Sequence, residues 1–213
     1  MIKNTAFLFD LDGVIVDTEP QYDIFWKKTA EKYQLGIENF EQIIKGTILP
    51  NIISNYFSQL PELEQQEIVL ANQAFEIEMD IIPVPGALAF LEDAKNNEIP
   101  IGLVTSSDDR KIEYVFSKLP IRQYFDTIVS ADRIIEGKPD PMCYLLAAQD
   151  LDVSPENCYV FEDSFNGIKS GNAAGMNVVG LSTTNPPDSI SEDCIKVIPD
   201  FCNFFVRYLC SER

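Results

Sequence analysis

The sequence predicts an α/β protein: a doubly wound parallel-sheet core carrying an inserted four-helix cap domain. Three observations predict it. After Pro83, short apolar runs alternate with segments of helical period. Those runs are almost continuously apolar, as strands buried on both faces must be. Residues 17–83, by contrast, carry helical patterning and no strand signal.

Taken in order, Thr5-Ala6-Phe7-Leu8-Phe9 reads as a buried strand stopped by Asp10, with Gly13 supplying a turn. Tyr22, Phe25, Trp26, Thr29, Ala30 and Tyr33 recur at helical spacing, and Thr18 followed by Pro20 marks that helix's start. Further helices are expected at 38–45, 50–58 and 62–80, punctuated by Gly46, Pro50 and Pro61. Beyond Pro83-Val84-Pro85-Gly86 come a helix at 86–97, a strand at 101–104, a helix at 109–119 and a strand at 127–129. A helix at 141–150, a strand at 159–161, a helix at 165–174 and a strand at 177–181 follow. A strand at 196–198 and a helix with Phe201, Phe204, Phe205, Tyr208 and Leu209 on one face close the chain. Residues 1–16 and 84–213 therefore form a Rossmann-like core, and 17–83 a helical cap on two short crossings, suited to a hinged lid.

Composition narrows the chemistry. The chain has 213 residues and no histidine, which excludes His-based nucleophile activation, His-ligated zinc and His proton shuttles. Acid–base work near neutral pH then falls to carboxylates, Lys, Tyr or Cys. A net charge of −18 argues against a nucleic-acid partner; the local basic clusters are Lys27-Lys28 and Arg110-Lys111. Five cysteines without a C-x-x-C spacing, and no signal peptide, point to a reducing cytoplasm, with the cysteines as small core residues. No apolar run approaches the roughly 20 residues of a membrane span. The chain reads as a cytoplasmic monomer with no membrane partner.

In open parallel sheets, ligands bind beyond the carboxyl ends of the strands. Asp10-Leu11-Asp12-Gly13 follows the first strand, Thr105-Ser106-Ser107 the second, and Glu162-Asp163-Ser164 the fourth; Gly137-Lys138-Pro139 lies in the loop after the third. Two acidic clusters, one hydroxyl cluster and one lysine on a single edge suit Mg2+ beside a phosphate. Magnesium takes oxygen ligands, hydroxyls donate to phosphate oxygens, and turn amides around Leu11 cradle an anion. A second Asp-Leu-Asp, at 150–152, follows a helix rather than a strand and reads as surface.

Phe9-Asp10-Leu11-Asp12-Gly13-Val14, the hydroxyls at 105–106, Gly137-Lys138-Pro139 and Glu162-Asp163-Ser164 resemble, in this order, the four motifs of the haloacid dehalogenase superfamily. The helical insert resembles the cap of its β-phosphoglucomutase-like branch. The resemblance implies a Mg2+-dependent phosphatase acting on a small phosphorylated metabolite. It makes Asp10 the nucleophile, Asp12 the general acid and base, and Lys138 the charge-neutralising group. Leu11, Thr105, Ser106 and Lys138 would bind phosphate, and Asp10, Asp12, Glu162 and Asp163 would serve the metal. Asp10, Glu162 and Asp163 are expected to crowd Asp12 and favour its protonated form.

Mutases of the resembled branch carry a cap histidine and a cap arginine. Here those places fall on Tyr22 and Leu49, and the segment 17–83 has four basic residues against twelve acidic. A hydrolase is therefore expected over a hexose phosphate mutase, with a catalytically silent phosphate or metal sensor as a third reading. Thr18, Tyr22 and Lys45 are the candidate substrate contacts from the cap, Lys45 reading otherwise as a solvated helix-end lysine. Asn166 is expected either to steady the metal loop or to cap the next helix.

Overall fold

A computed structural model describes residues 4–210. Its core is a six-stranded parallel sheet: β1 (Ala6–Phe9), β2 (Ile101–Val104), β3 (Thr127–Val129), β4 (Cys158–Glu162), β5 (Asn177–Leu181) and β6 (Lys196–Ile198), in spatial order β3-β2-β1-β4-β5-β6. The chain builds outward from β1 to one side, then crosses back to lay β4 on its other side. That reversal opens a crevice between the carboxyl ends of β1 and β4, where such sheets bind ligands.

Alternation along each strand divides the core between the sheet's two faces. Phe7, Phe9, Leu103 and Phe161 pack on one face with Phe90, Leu91, Ile112 and Val115 from α5 (Ala87–Asn96) and α6 (Asp109–Lys118). Phe9 and Phe161, paired across β1 and β4, stack with ring centroids 4.4 Å apart. Ala6, Leu8, Val104 and Val160 face the other way, onto α7 (Met142–Asp150) and α8 (Phe165–Ala173). Burial of both faces explains why these strands lack polar alternation.

Between β1 and α5 lie α1 (Glu19–Lys32), α2 (Phe40–Ile43), α3 (Leu49–Tyr56) and α4 (Glu62–Glu76). They share an apolar centre of their own: Trp26, Phe40, Ile44, Ile52, Ile53, Phe57 and Ile68. Trp26 thus belongs chiefly to packing. The two crossings into this insert run side by side, Asp17 N–H donating to Ile82 O at 2.8 Å and Val84 N–H to Ile15 O at 3.0 Å.

Three expectations are corrected. The predicted helix at 62–80 ends at Glu76. The closing helix is a single turn, α10 (Arg207–Cys210), preceded by the short α9 (Pro187–Ile190), which has no expected counterpart. Residues 201–206 instead run irregularly across the sheet: Phe201 and Phe204 are buried, whereas Phe205 and Tyr208 are exposed. Finally, Cys143 and Cys158 are buried, but Cys202 is exposed. The side chain of Cys210 lies outside the described residues. No helix among the described residues is long and apolar enough to cross a membrane.

Candidate active site

Asp10 continues β1, its backbone N–H donating to Phe161 O at 3.1 Å. This bond ties the residue to β4, so its carboxylate sits in the crevice between the two strands. Lys138 is buried beside it and donates to Asp10 Oδ1 at 2.9 Å, Glu162 Oε1 at 2.6 Å and Val104 O at 3.2 Å. Burial works against the ammonium, but Asp10 and Glu162 outweigh it and hold Lys138 well above an ordinary lysine. It is a fixed positive charge. Asp10 Oδ2 accepts no hydrogen bond among the described residues and belongs to a residue lining the cavity above it.

Glu162 is fully buried and saturated. Its Oε1 accepts from Lys138 and from Tyr144 Oη at 2.8 Å; its Oε2 accepts from the Asp163 and Ser164 amides and from Ser164 Oγ. Asp163 follows, held by Thr184 Oγ. Gly13 makes the approach of these two loops possible. Its φ is +73°, and a Cβ there would stand 2.0 Å from Asp163 Oδ2. Gly167 does the same for Glu162, a Cβ falling 1.7 Å from Oε1.

Asp10, Glu162 and Asp163 each offer a carboxylate oxygen within 4.8 Å of the others. Burial pushes the Asp10 carboxyl up to about 7, against the pull of Lys138 and helped by the charges of Glu162 and Asp12. Burial, with Glu19, Glu162 and Asp10 nearby, likewise raises Asp163 far above an ordinary aspartate. Such a site is short of positive charge. With Asp12 included, four carboxylates face the ammonium groups of Lys138 and Lys111, a deficit of two charges. Hard oxygen donors and that deficit fit Mg2+. Asp10 and Asp163 have room to hold it directly, whereas the filled oxygens of Glu162 suit an indirect role.

Asp12 stands apart from this group, although it was expected among the metal-serving residues. Its Oδ1 accepts from Thr18 Oγ and Lys111 Nζ, and its Oδ2 from Ser107 Oγ at 3.0 Å. The neighbours expected for it, three carboxylates, are joined by a lysine that the sequence reading did not assign. The amides of Leu11 and Asp12 donate to no acceptor among the described residues, which leaves them available to an anion. Thr105 lines the same cavity, its Oγ accepting from Ser107 N–H at 3.1 Å.

The cavity, of about 80 Å³, is roofed by Glu19, Tyr22, Trp26, Lys45, Leu49, Asn72 and Glu76 of the helical insert. The insert is clasped to the strand ends by the loop after α2. Ser106 Oγ donates to Gly46 O at 2.7 Å, and Asn166 Nδ2 to Lys45 O at 2.8 Å. Ser106 therefore spends its hydroxyl hydrogen on the insert. Asn166 does neither of the things expected of it: Ser164 caps α8, accepting from Gly167 N–H at 3.0 Å.

These positions can be set against known proteins. Residues 5–175 match the model of the haloacid dehalogenase-like hydrolases. The chain belongs to that family. Hexitol phosphatase A of Escherichia coli is 31% identical over 191 residues, covering 88% of this chain and 87% of its own. Beta-phosphoglucomutase of Bacillus subtilis is 32% identical over 193 residues, covering 85% and 84%. The crystal structure of beta-phosphoglucomutase from Clostridium difficile superposes with a TM-score of 0.81 at 29% identity, over 97% of this chain and 95% of that one.

In this haloacid dehalogenase-like hydrolase, the motif residues from four separate strand ends meet around Asp10. The contacts from the insert differ from expectation. Thr18 stands at the N-cap position of α1 but sends its hydroxyl to Asp12 rather than to its own helix. Tyr22 Oη donates to Glu76 Oε1 at 2.8 Å. Lys45 is not a solvated lysine: it is buried, 2.6 Å from Glu19 Oε2 and 2.7 Å from Asp23 Oδ1. Asp108 caps α6, accepting from Lys111 N–H at 2.9 Å. Asp150 pairs with Arg133 at the surface, as its context suggested.

Sequence reasoning missed Lys111, Glu76, Tyr144 and Thr184. Lys111 left one usable signal: on a helix it shares a face with Ile112 and Val115, both buried.

Proposed function

We propose that the protein is a Mg2+-dependent phosphohydrolase that cleaves small phosphomonoesters through an aspartyl-phosphate on Asp10. The carrying observation is the state of Asp10: one oxygen pinned by a buried ammonium, the other facing the cavity without a protein donor. In this reading residues 17–83 act as a cap over the core of 1–16 and 84–213. The protein acts as a monomer in this reading, with each site complete within one chain.

Bound at Asp10 and Asp163, Mg2+ would supply positive charge to the transferring phosphoryl group. Asp10 Oδ2 forms a bond to phosphorus as the bond to the leaving oxygen breaks. Asp12 gives its proton to that oxygen. Water then attacks phosphorus, Asp12 takes the proton back, and the Asp10 carboxylate is released with inorganic phosphate. Lys138 holds Asp10 in place and neutralises its charge. The Leu11 amide and the Thr105 hydroxyl hold phosphate oxygens, and Ser106 shapes the pocket from its bond to Gly46.

The roof favours hydrolysis over a mutase and points to the leaving group. A mutase must grip a second phosphate, for which a guanidinium fork suits. Position 49 is Leu, and Lys45 is already held between Glu19 and Asp23. The remaining roof offers Glu19, Glu76 and the Asn72 amide, hydrogen-bonding partners for hydroxyls and repulsive to a second anion. Relatives named as a hexitol phosphatase and a beta-phosphoglucomutase are 31% and 32% identical over most of this chain, which supports a sugar or polyol monophosphate as substrate.

The test is phosphate release from a panel of sugar and polyol monophosphates, with Mg2+ and with EDTA. Metal-dependent release is expected. Conversion of β-glucose 1-phosphate to glucose 6-phosphate in the presence of a trace of bisphosphate would instead establish the mutase. Absence of turnover on every ester, p-nitrophenyl phosphate included, would establish the silent sensor.

A further inference from the structure

Lys111 lies in the first turn of α6 and is fully buried. A buried ammonium is costly unless it is paired, and removing its partner leaves an uncompensated charge. Its partner is Asp12, whose Oδ1 accepts from Nζ. Nζ also donates to Tyr22 Oη at 2.7 Å and stands 4.4 Å from the centre of the Tyr22 ring. Tyr22 in turn donates to Glu76 Oε1, and Arg110 donates to Glu76 Oε2 at 3.3 Å. The line Asp12–Lys111–Tyr22–Glu76–Arg110 thus runs from the core to the helical insert and back.

We propose that Lys111 is a positioning residue for the acid–base Asp12, holding its carboxyl toward the leaving oxygen in a geometry that requires Tyr22 of the insert to be in place. The proposal rests on the phosphatase reading above. Three features carry it. Lys111 reaches Asp12, a carboxylate of the site that Lys138 does not touch. Lys111 is fully buried and Asp12 mostly so, which sets the contact apart from an exposed ion pair worth little. And Lys111 meets Asp12 together with a residue of the insert, so that the carboxyl is fully held only when insert and core are in contact.

The consequence differs from that of a purely structural ion pair. Of the two proton transfers assigned to Asp12, delivery to the leaving oxygen is the one that alcohol release reads, and it should depend on Lys111. p-Nitrophenolate leaves without help, whereas the phenolate of phenyl phosphate, with a conjugate acid near pKa 10, gains from a proton. Single-turnover release of each alcohol is therefore compared in wild type, Lys111→Gln, Lys111→Arg and Tyr22→Phe, at saturating Mg2+. Lys111→Gln should slow phenol release about 10²-fold, the lower range of acid–base catalysis, and p-nitrophenol release only a few-fold. Lys111→Arg should recover part of the loss, and Tyr22→Phe should show the same selectivity on a smaller scale. Should Lys111→Gln not fold, Lys111→Arg and Tyr22→Phe decide the matter by the same ratio. Equal loss on both esters, or loss on neither, overturns the assignment of Lys111. A wild-type protein with no Mg2+-dependent turnover of either ester overturns the reading of the site itself.

Discussion

The two aspartates of Asp10-Leu11-Asp12 are each paired with a buried lysine, but the two pairs are built differently. Lys138 reaches Asp10 from a loop on the sheet edge and shares its charge with Glu162, so that the pair lies wholly within residues contributed by strand ends. Lys111 reaches Asp12 from a helix and shares its contacts with Tyr22 of the insert. The first pair makes its hydrogen bonds within the core; the second includes a residue of the insert. In the proposed mechanism, the comparison would separate phosphoryl transfer at the sheet pair from proton delivery at the pair tied to the insert.

The strongest way to test that division is Asp10→Asn. Removing the nucleophile should lower turnover on the order of 10⁴-fold or more while circular dichroism and the unfolding midpoint show a folded protein; substantial Mg2+-dependent turnover would move the nucleophile elsewhere. Next comes Lys138→Met. It strands Asp10 and Glu162 without their shared cation, and breaking a buried pair in this way should cost about 3–5 kcal/mol, read from urea unfolding. A loss below about 1 kcal/mol, the ceiling of most exposed pairs, would remove the distinction between the sheet pair and a surface contact.

Gly13→Ala probes the same pair from behind. At φ +73° an added Cβ would collide with Asp163 Oδ2, so strain of about 1–3 kcal/mol and weaker Mg2+ binding by calorimetry are expected together. Unchanged Mg2+ affinity would take Asp163 out of the metal site.

A pH series sharpens the electrostatic side. The folded-state pKa of Asp10 is raised to about 7, chiefly by burial, above the ordinary aspartate value of about 3.9. The folded protein therefore holds a proton that the unfolded chain gives up, a stabilising term present at low pH and lost as pH rises through about 7. Asp163, Glu19 and Glu76 are raised in the same sense. In EDTA, the melting temperature should fall between pH 5 and pH 7.5 (about the window those pKa values set), and saturating Mg2+ should flatten the fall. A melting temperature that rises over this range without metal would contradict the charge deficit. The smallest effect is expected for Glu76→Gln. It weakens the far end of the Tyr22 line, and a few-fold change in the rate of phenol release, with little change for p-nitrophenol, would place Glu76 behind Lys111 in order.

The same contrast explains what the sequence could show. Asp10, Thr105 and Glu162-Asp163 were legible because each follows a short apolar run, and Lys138 because its loop follows the third strand; parallel strands deliver their ends to one edge. Lys111 was not, since a lysine beside Arg110 in a charged first turn looks solvated; only the burial of Ile112 and Val115 on the same face shows otherwise. Lys45 was read as a candidate substrate contact or a solvated lysine, because its pairing with Glu19 and Asp23 depends on how α1 and the loop after α2 meet. The closing helix was overextended, since Phe201 and Phe204 are buried by a chain that runs to α10 without helical turns. Burial there follows from aromatic packing against Phe90 and Phe9 rather than from helical period.

The most direct measurement is to quench the reaction in acid during turnover of a radiolabelled phosphomonoester and to locate the label by peptide mapping. Acid-stable, hydroxylamine-labile label on the peptide containing Asp10, absent from Asp10→Asn, is the predicted result. A protein that releases phosphate at full rate without ever carrying label on that side chain would contradict the account.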